Sequence, residues 1–249
     1  AATPDSIETV VTARIDTLSS VDRLLLREAS VLGSVIDTHL LAEALGDQGL
    51  RGPERWTRLS GFLSPVNSNV FNFQQGLYRE VAYEGLSFKR RRELHAQFGQ
   101  AFERRAGEDW ASSSELLSLH FHAARIWPKS WRYSIIAGDL ASSKYAHTEA
   151  AIFYRRALDV PPAHRPDLTA VTAVAESLAD ALELSAQFDE ASHALQLARR
   201  TRSDVGGLIR LMRKSGVIME RLGKYRQALR WYGRGLTAAV QLEEPTASL

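Results

Sequence analysis

Leu222-Gly223-Lys224-Tyr225-Arg226-Gln227-Ala228-Leu229-Arg230-Trp231-Tyr232-Gly233-Arg234-Gly235 is the stretch on which the reading of this 249-residue chain turns. Its positions Ala228, Tyr232 and Gly235 have counterparts upstream in Ala191, Leu195 and Ala198, and before those in Ala150, Tyr154 and Ala157. Twelve residues ahead of each triplet stands another small residue, Gly216, Ala179 or Gly138, and three residues ahead stands a ring, Tyr225, Phe188 or His147. Spacings of three and four put a triplet on one helical face, and small side chains let two helices approach closely. The pattern therefore predicts helix-turn-helix units stacked in series, with the ring filling the groove at each turn. Such scaffolds usually serve binding.

Working outward, Pro161, Pro162 and Pro166 end the first unit, and Gly206-Gly207 separates the second from the third. A long helix from about Ser130 to Tyr145 opens the first unit after a turn at Trp127-Pro128. A shorter helix over Glu115–Ile126 precedes it, with Ser112, Ser113 and Ser114 placed to cap it. The loop from Gly107 to Ser114 is the expected domain boundary, giving residues 1–106 and 107–249. In the first part, Ile7, Val10, Val11, Ile15 and Leu18 recur at helical spacing. Ser19 or Ser20 caps a second helix, Asp37 precedes a short helix that stops at Gly46, and Pro53 opens another carrying Trp56 and Leu59. Phe62, Leu63 and Val66 face Val70, Phe71 and Phe73 across Asn67-Ser68-Asn69, which reads as a β-hairpin. Gly76 to about Arg105 is helical again, jointed at Gly85 or Ser87. The expected fold class is mainly α: three helices and a small hairpin, as in a winged helix, followed by an α-helical repeat array.

Composition sets the limits. With 45% hydrophobic and 24% charged residues and a formal charge of +2, the chain has ordinary soluble composition and gives no strong case for nucleic acid or an anionic membrane. The absence of cysteine removes disulfides and thiolate chemistry and fits a reducing, cytoplasmic setting. Nowhere do about 18 apolar residues run together, and the start has no secretory pattern. The opening at Ala1 reads as that of an excised fragment.

The repeats resemble the tetratricopeptide family, most sharply in Leu222-Gly223-Lys224-Tyr225 before Gln227-Ala228, although the intervals here exceed the about 34 residues of a standard unit. The second repeat lacks the glycine and has Leu195 where an aromatic is usual. The first half resembles the winged-helix segment that follows the ATPase module in bacterial STAND-class signalling ATPases, including those attached to class III adenylate/guanylate cyclases in actinobacteria. The matching residues are Pro4-Asp5-Ser6-Ile7 with Ala13-Arg14-Ile15-Asp16, then Ala29-Ser30-Val31-Leu32-Gly33, Phe73 through Tyr83, and Arg90-Arg91-Arg92-Glu93-Leu94-His95. The resemblance implies a regulatory role, an ATPase upstream in cis, and a switch set by what binds the repeats. The family's nucleotide-contacting histidine after the hairpin is replaced here by Gln75.

Chemistry-bearing motifs are sparse. The chain has no phosphate loop ending in Lys-Ser/Thr and no dinucleotide fingerprint, so no cofactor is expected in this fragment, and ATP would belong to the parent protein. His120 and His122, two apart on a helix, point to different sides and do not read as a metal pair. Catalytic residues are expected to be none. On the first helix of each repeat, which lines the groove where a protein or peptide partner would dock, the candidates are Arg132 and Asp139, then Glu176, Asp180 and Glu183, then Arg210, Arg213 and Glu220. This gives an acidic middle beside a basic end, with like charges crowded on one face. Two alternatives stand beside it. One is a DNA-binding regulator using Arg51, Arg55 and Arg58 with the wing, the basic run Lys89 to Arg92 being a second cluster that could contact phosphates. The other is a homo-oligomer assembled through the last hairpin, where Trp231, Leu236 and Val240 would lack a neighbour.

Overall fold

The computed structural model describes residues 7–202 and 204–243; the side chains of Gln48, Arg51, Pro53, Glu108 and Glu243 lie outside that description. It is mainly helical, with a small three-stranded antiparallel sheet. Packing divides the chain into two compact units, Ala1–Ile126 and Trp127–Leu249.

In the first unit, α1 (Ile7–Asp16) and α2 (Ser20–Ala29) lead through a 3-10 turn (Ser30–Leu32) into β1 (Val35–Asp37). Then come α3 (Thr38–Leu45), α4 (Pro53–Thr57), β2 (Leu63–Pro65), β3 (Val70–Phe73), α5 (Gly76–Glu84), α6 (Phe88–Ala106) and α7 (Ser114–Ala123). Ser19 caps α2 by accepting the Asp22 N–H, and Asp37 caps α3 by accepting from His39 and Leu40 at 2.9 and 3.0 Å. Gly46, at φ 71°, ends α3 in the left-handed conformation that a Cβ disfavours. β2 and β3 form the expected hairpin, in register Leu63 with Phe73, and β1 joins β3 on its other side, Ile36 against Phe71. β1 was not foreseen, because three residues are too few to show an alternation. Ile36, Leu41, Trp56, Leu63 and Phe98 sit fully inside, with Trp56 stacked on Phe71 at 5.3 Å and its indole N–H donated to the Leu50 carbonyl.

Two buried carboxylates on α2 are paired across this unit. Glu28 accepts from Arg90 of α6, and Asp22 accepts from Ser19 and from Arg58 Nε at 3.0 Å. The Arg58 hydrogen bond, opposed by burial, holds the Asp22 carboxyl below its ordinary range. Stability from this pair is present above the unfolded value near pH 4 and is lost as pH falls through the lower folded value. Arg58→Met should therefore cost about 1 kcal/mol at pH 7 in urea unfolding and little near pH 3, the modest size reflecting the exposed guanidinium.

The second unit is six helices: α8 (Trp127–Ser143), α9 (His147–Leu158), α10 (Leu168–Leu184), α11 (Phe188–Thr201), α12 (Val205–Arg221) and α13 (Tyr225–Glu243). They pack as consecutive hairpins α8/α9, α10/α11 and α12/α13, and α9 and α11 each pack on the helix that follows. The pairing of α12 with α13 runs antiparallel: Glu220 and Gly216 meet Tyr232, while Met212 and Ile209 meet Gly235. Small-to-ring complementarity decides the approach. A Cβ at Gly138 would lie 2.6 Å from the Tyr154 ring, and Gly216 lies equally hard against Tyr232. In the middle hairpin the corresponding positions hold Ala179 and the smaller Leu195, both buried.

Each hairpin turn is closed alike, by a residue at positive φ (Tyr145 61°, Ala186 60°, Gly223 70°) and an N–H reaching back five residues, from Ala146 to Ala141, Gln187 to Leu182 and Lys224 to Met219. Only the third turn uses glycine. The ring expected to plug each turn is half-buried as His147 and Phe188, but Tyr225 is 66% exposed.

Three local readings change. Pro128 lies within the first turn of α8, where its missing N–H has no helical acceptor to lose, so the turn placed at Trp127-Pro128 belongs to the helix. Gly206 and Gly207 are not a separator but open α12, with Asp204 accepting the Gly207 N–H at 2.7 Å and Arg202 covering Gly207 where a Cβ would stand. Ser113 at the start of α7 makes no side-chain cap, and Ser112 bonds back to Asp109. α7 packs on α6, where Phe121 covers Gly99 and His120 meets His95, and the compact unit that holds them runs to Ile126.

Candidate functional site

The first helices of the three hairpins, α8, α10 and α12, carry the eight residues expected to line a groove. On α10, Glu176, Asp180 and Glu183 share a face, as their spacing requires. The structure sets most of that charge against the next helix. Arg210 donates from Nε and Nη2 to the two Glu176 oxygens at 2.8 and 3.0 Å. Lys214, one turn on, reaches Glu176 at 2.9 Å and both oxygens of Asp180 at 2.6 and 2.7 Å. Glu176 is held down to about 2, first by the Arg210 hydrogen bond and then by Lys214, against an opposing contribution from burial. The like-charge crowding on α10 is thus relieved within the fold.

The remaining positions divide by what they touch. Asp139 accepts the Tyr154 hydroxyl at 2.7 Å, and Glu220 accepts that of Tyr232 at 3.0 Å, so in two hairpins the ring that seats on glycine also ties its tip to the partner helix. Burial and the Asp139 carboxylate raise the Tyr154 phenol well above its ordinary value, which keeps it a donor. Arg132 is exposed, with its guanidinium 5.5 Å from the Tyr133 ring. Glu183 and the exposed Arg213 have no ion-pair partner among the described residues. Lys214, which bridges two carboxylates, was missed by the sequence reading; its position four after Arg210 was the available signal.

Two residues of the DNA-binding alternative are paired with carboxylates of their own unit. Arg55 pairs with Asp47 at 2.8 Å and Arg58 with Asp22, while the Arg51 side chain lies outside the described residues. In the neighbouring basic run, Arg90 is taken by Glu28 and Glu93, and Arg91 donates to the carbonyls of Leu86 and Glu84 and lies over the Tyr83 ring at 4.5 Å. Gln75 is exposed at the start of α5 and makes no side-chain cap there.

His120 pairs not with His122 but with His95, Nδ1 to Nδ1 at 3.0 Å, and His95 Nε2 meets the Tyr83 hydroxyl at 3.1 Å. Both imidazoles are buried, which pushes His95 down to about 4, aided by Arg79 and Arg91, and His120 to about 3, aided by His95. An open cavity of about 760 Å³ beside His95 is lined by Tyr83, Lys89, Arg91, Arg92 and Arg125 among others. Among the described residues no group of three His, Cys, Asp or Glu side chains is placed to hold a metal ion, and no helix is long and apolar enough to cross a membrane.

No protein-family model matches the chain, and no curated protein matches it. Among solved structures it is similar to BtubC (BKLC) from P. vanneervenii, at 13% identity and a TM-score of 0.40, over 93% of this chain and 98% of that one. At that TM-score the likeness carries no argument about fold or function.

Proposed function

We propose that this chain is a non-catalytic regulatory and protein-interaction region: a winged-helix module followed by a tetratricopeptide-like array, coupled in cis to an upstream signalling ATPase. The supporting observation is the face shared by the first helices, where Glu176, Asp180, Arg210 and Lys214 form a fixed ladder and leave Glu183 and Arg213 beside it without ion-pair partners. Within the ladder the two positive and two negative charges cancel. The two charges left over, of opposite sign, suit a peptide of mixed charge whose own ions face them. Docking would transmit a signal only if the peptide binds one state of the switch better than the other.

The test begins with peptides selected from a random-sequence library on the whole chain. Glu183→Lys with Arg213→Glu should weaken the selected peptides at least tenfold by fluorescence anisotropy while thermal unfolding stays within a degree or two of the parent. Unchanged affinity would remove this face from the reading. Reversing Glu176 or Asp180 is the wrong experiment, because either change also breaks the α10–α12 ladder and weakens the array itself. The regulatory half is checked in the parent ATPase, whose ATP hydrolysis should respond to the same peptide and lose that response in the double variant. DNA binding is set behind this reading because Arg55 and Arg58 are already paired.

A further inference from the structure

The second surface lies on α13, away from the groove just described. On a helix of 3.6 residues per turn, Tyr225, Leu236, Leu229 and Val240 fall within roughly 60° of arc, and Arg226, Arg230 and Arg234 fill roughly the next 80°. The four apolar side chains are 66, 67, 69 and 49% exposed, and a Cβ at Gly233, between them and the arginines, would meet nothing. The face that adjoins the stripe on its other side, with Ala228, Gly235, Trp231 and Tyr232, packs against the rest of the unit.

The repeat register shows what such positions do elsewhere in the chain. Leu229 stands where α9 has Ala151, which is fully buried; Leu236 stands where α9 has Leu158, packed against the core; Tyr225 stands where α11 has the half-buried Phe188. On α9 and α11 these positions lie on helices that a following helix covers. α13 keeps apolar side chains at these positions, with leucine in place of Ala151, and has no cover there among the described residues. From Tyr225 to Leu242 α13 has no carboxylate, and neither Arg226, Arg230 nor Arg234 has an ion-pair partner among the described residues. A second copy would set arginine against arginine, and a bilayer calls for a wider apolar face than four side chains offer.

We propose that the outer face of α13 docks a partner protein through an amphipathic helix whose apolar seam lies on Tyr225, Leu229, Leu236 and Val240 and whose flanking carboxylates meet Arg226, Arg230 and Arg234. The probe is a stapled helix of about 20 residues with a Leu/Ala seam and Glu flanks, compared with the same helix carrying Lys in place of Glu. By anisotropy on the whole chain, the Glu helix should bind at least tenfold tighter than the Lys helix, and more weakly as salt rises. Leu229→Ser with Leu236→Ser should abolish binding, and Arg226→Glu with Arg230→Glu should reverse the preference. All four positions are exposed, so both variants should keep the parent melting temperature. Equal binding of the two helices, or no response to either variant, overturns the proposal. So does sedimentation of the chain with phosphatidylserine vesicles while the Glu helix fails to bind, or a rise in mass with concentration that Leu229→Ser abolishes. Glu183→Lys with Arg213→Glu should leave this binding untouched, which separates its failure from failure of the groove.

Discussion

Gly138→Ala is expected to destabilise the second unit by about 1–3 kcal/mol, a fall of several degrees in its melting temperature. The added methyl would stand 2.6 Å from Cε1 of Tyr154, and the ring has nowhere to go: it is 3% exposed and its hydroxyl is held by Asp139 at 2.7 Å. The middle hairpin shows the alternative solution, alanine at 179 with leucine at 195. Gly138→Ala combined with Tyr154→Leu should therefore lose less stability than the sum of the two single variants, by at least about 0.5 kcal/mol. Strict additivity would mean that the glycine is not there for the ring. The same exchange at Gly216 should cost less, because Tyr232 is only half-buried and hydrogen-bonds an exposed Glu220.

Acid should weaken the first unit through His95 and His120. Both are neutral in the fold, with values near 4 and 3, while an unfolded histidine titrates near 6.5. Stability is complete above pH 6.5 and declines as pH falls toward 4, because the unfolded chain takes up protons that the buried pair refuses; below about 4 the decline halves as His95 protonates in place, and below about 3 it levels off as His120 follows. The limiting slope is about 1.4 kcal/mol per pH unit for each histidine, so urea unfolding between pH 7 and 5 should lose roughly 4 kcal/mol. In the double variant His95→Phe, His120→Leu that loss should shrink to what the remaining groups contribute. An equally steep decline in the variant would place the acid sensitivity elsewhere. The pair joins α6 to α7, so its protonation should loosen the end of the first unit before the sheet, visible as earlier amide exchange in α7.

The sequence reading reached the hairpins because their signal is local. Ala150, Tyr154 and Ala157 report a helical face by spacing alone, and the small residue twelve positions earlier reports the facing helix, since a tight turn makes that distance nearly constant. Ser19, Asp37 and Gly46 were legible for the same reason: a cap acts within four residues of itself. The candidate groove was legible only in part. Spacing put Glu176, Asp180 and Glu183 on one face, but the neutralisation of the first two by Arg210 and Lys214 depends on which turn of α12 lies opposite, and no local period announces that.

What the amino-acid order determined by itself, then, is the kind of element at each place and which face of it is apolar, because backbone propensity and side-chain period act over one or two turns; that Tyr225 and Leu229 stay uncovered on α13 while Trp231 is packed was not among those readings. Tertiary structure alone decided that Glu176 meets Arg210 thirty-four residues away, that His120 finds His95 rather than His122, that three residues at Val35 complete a sheet, and that α7 belongs with α6. Each of those is a meeting of surfaces far apart in the chain, settled by close packing of whole elements, and no local pattern carries the information.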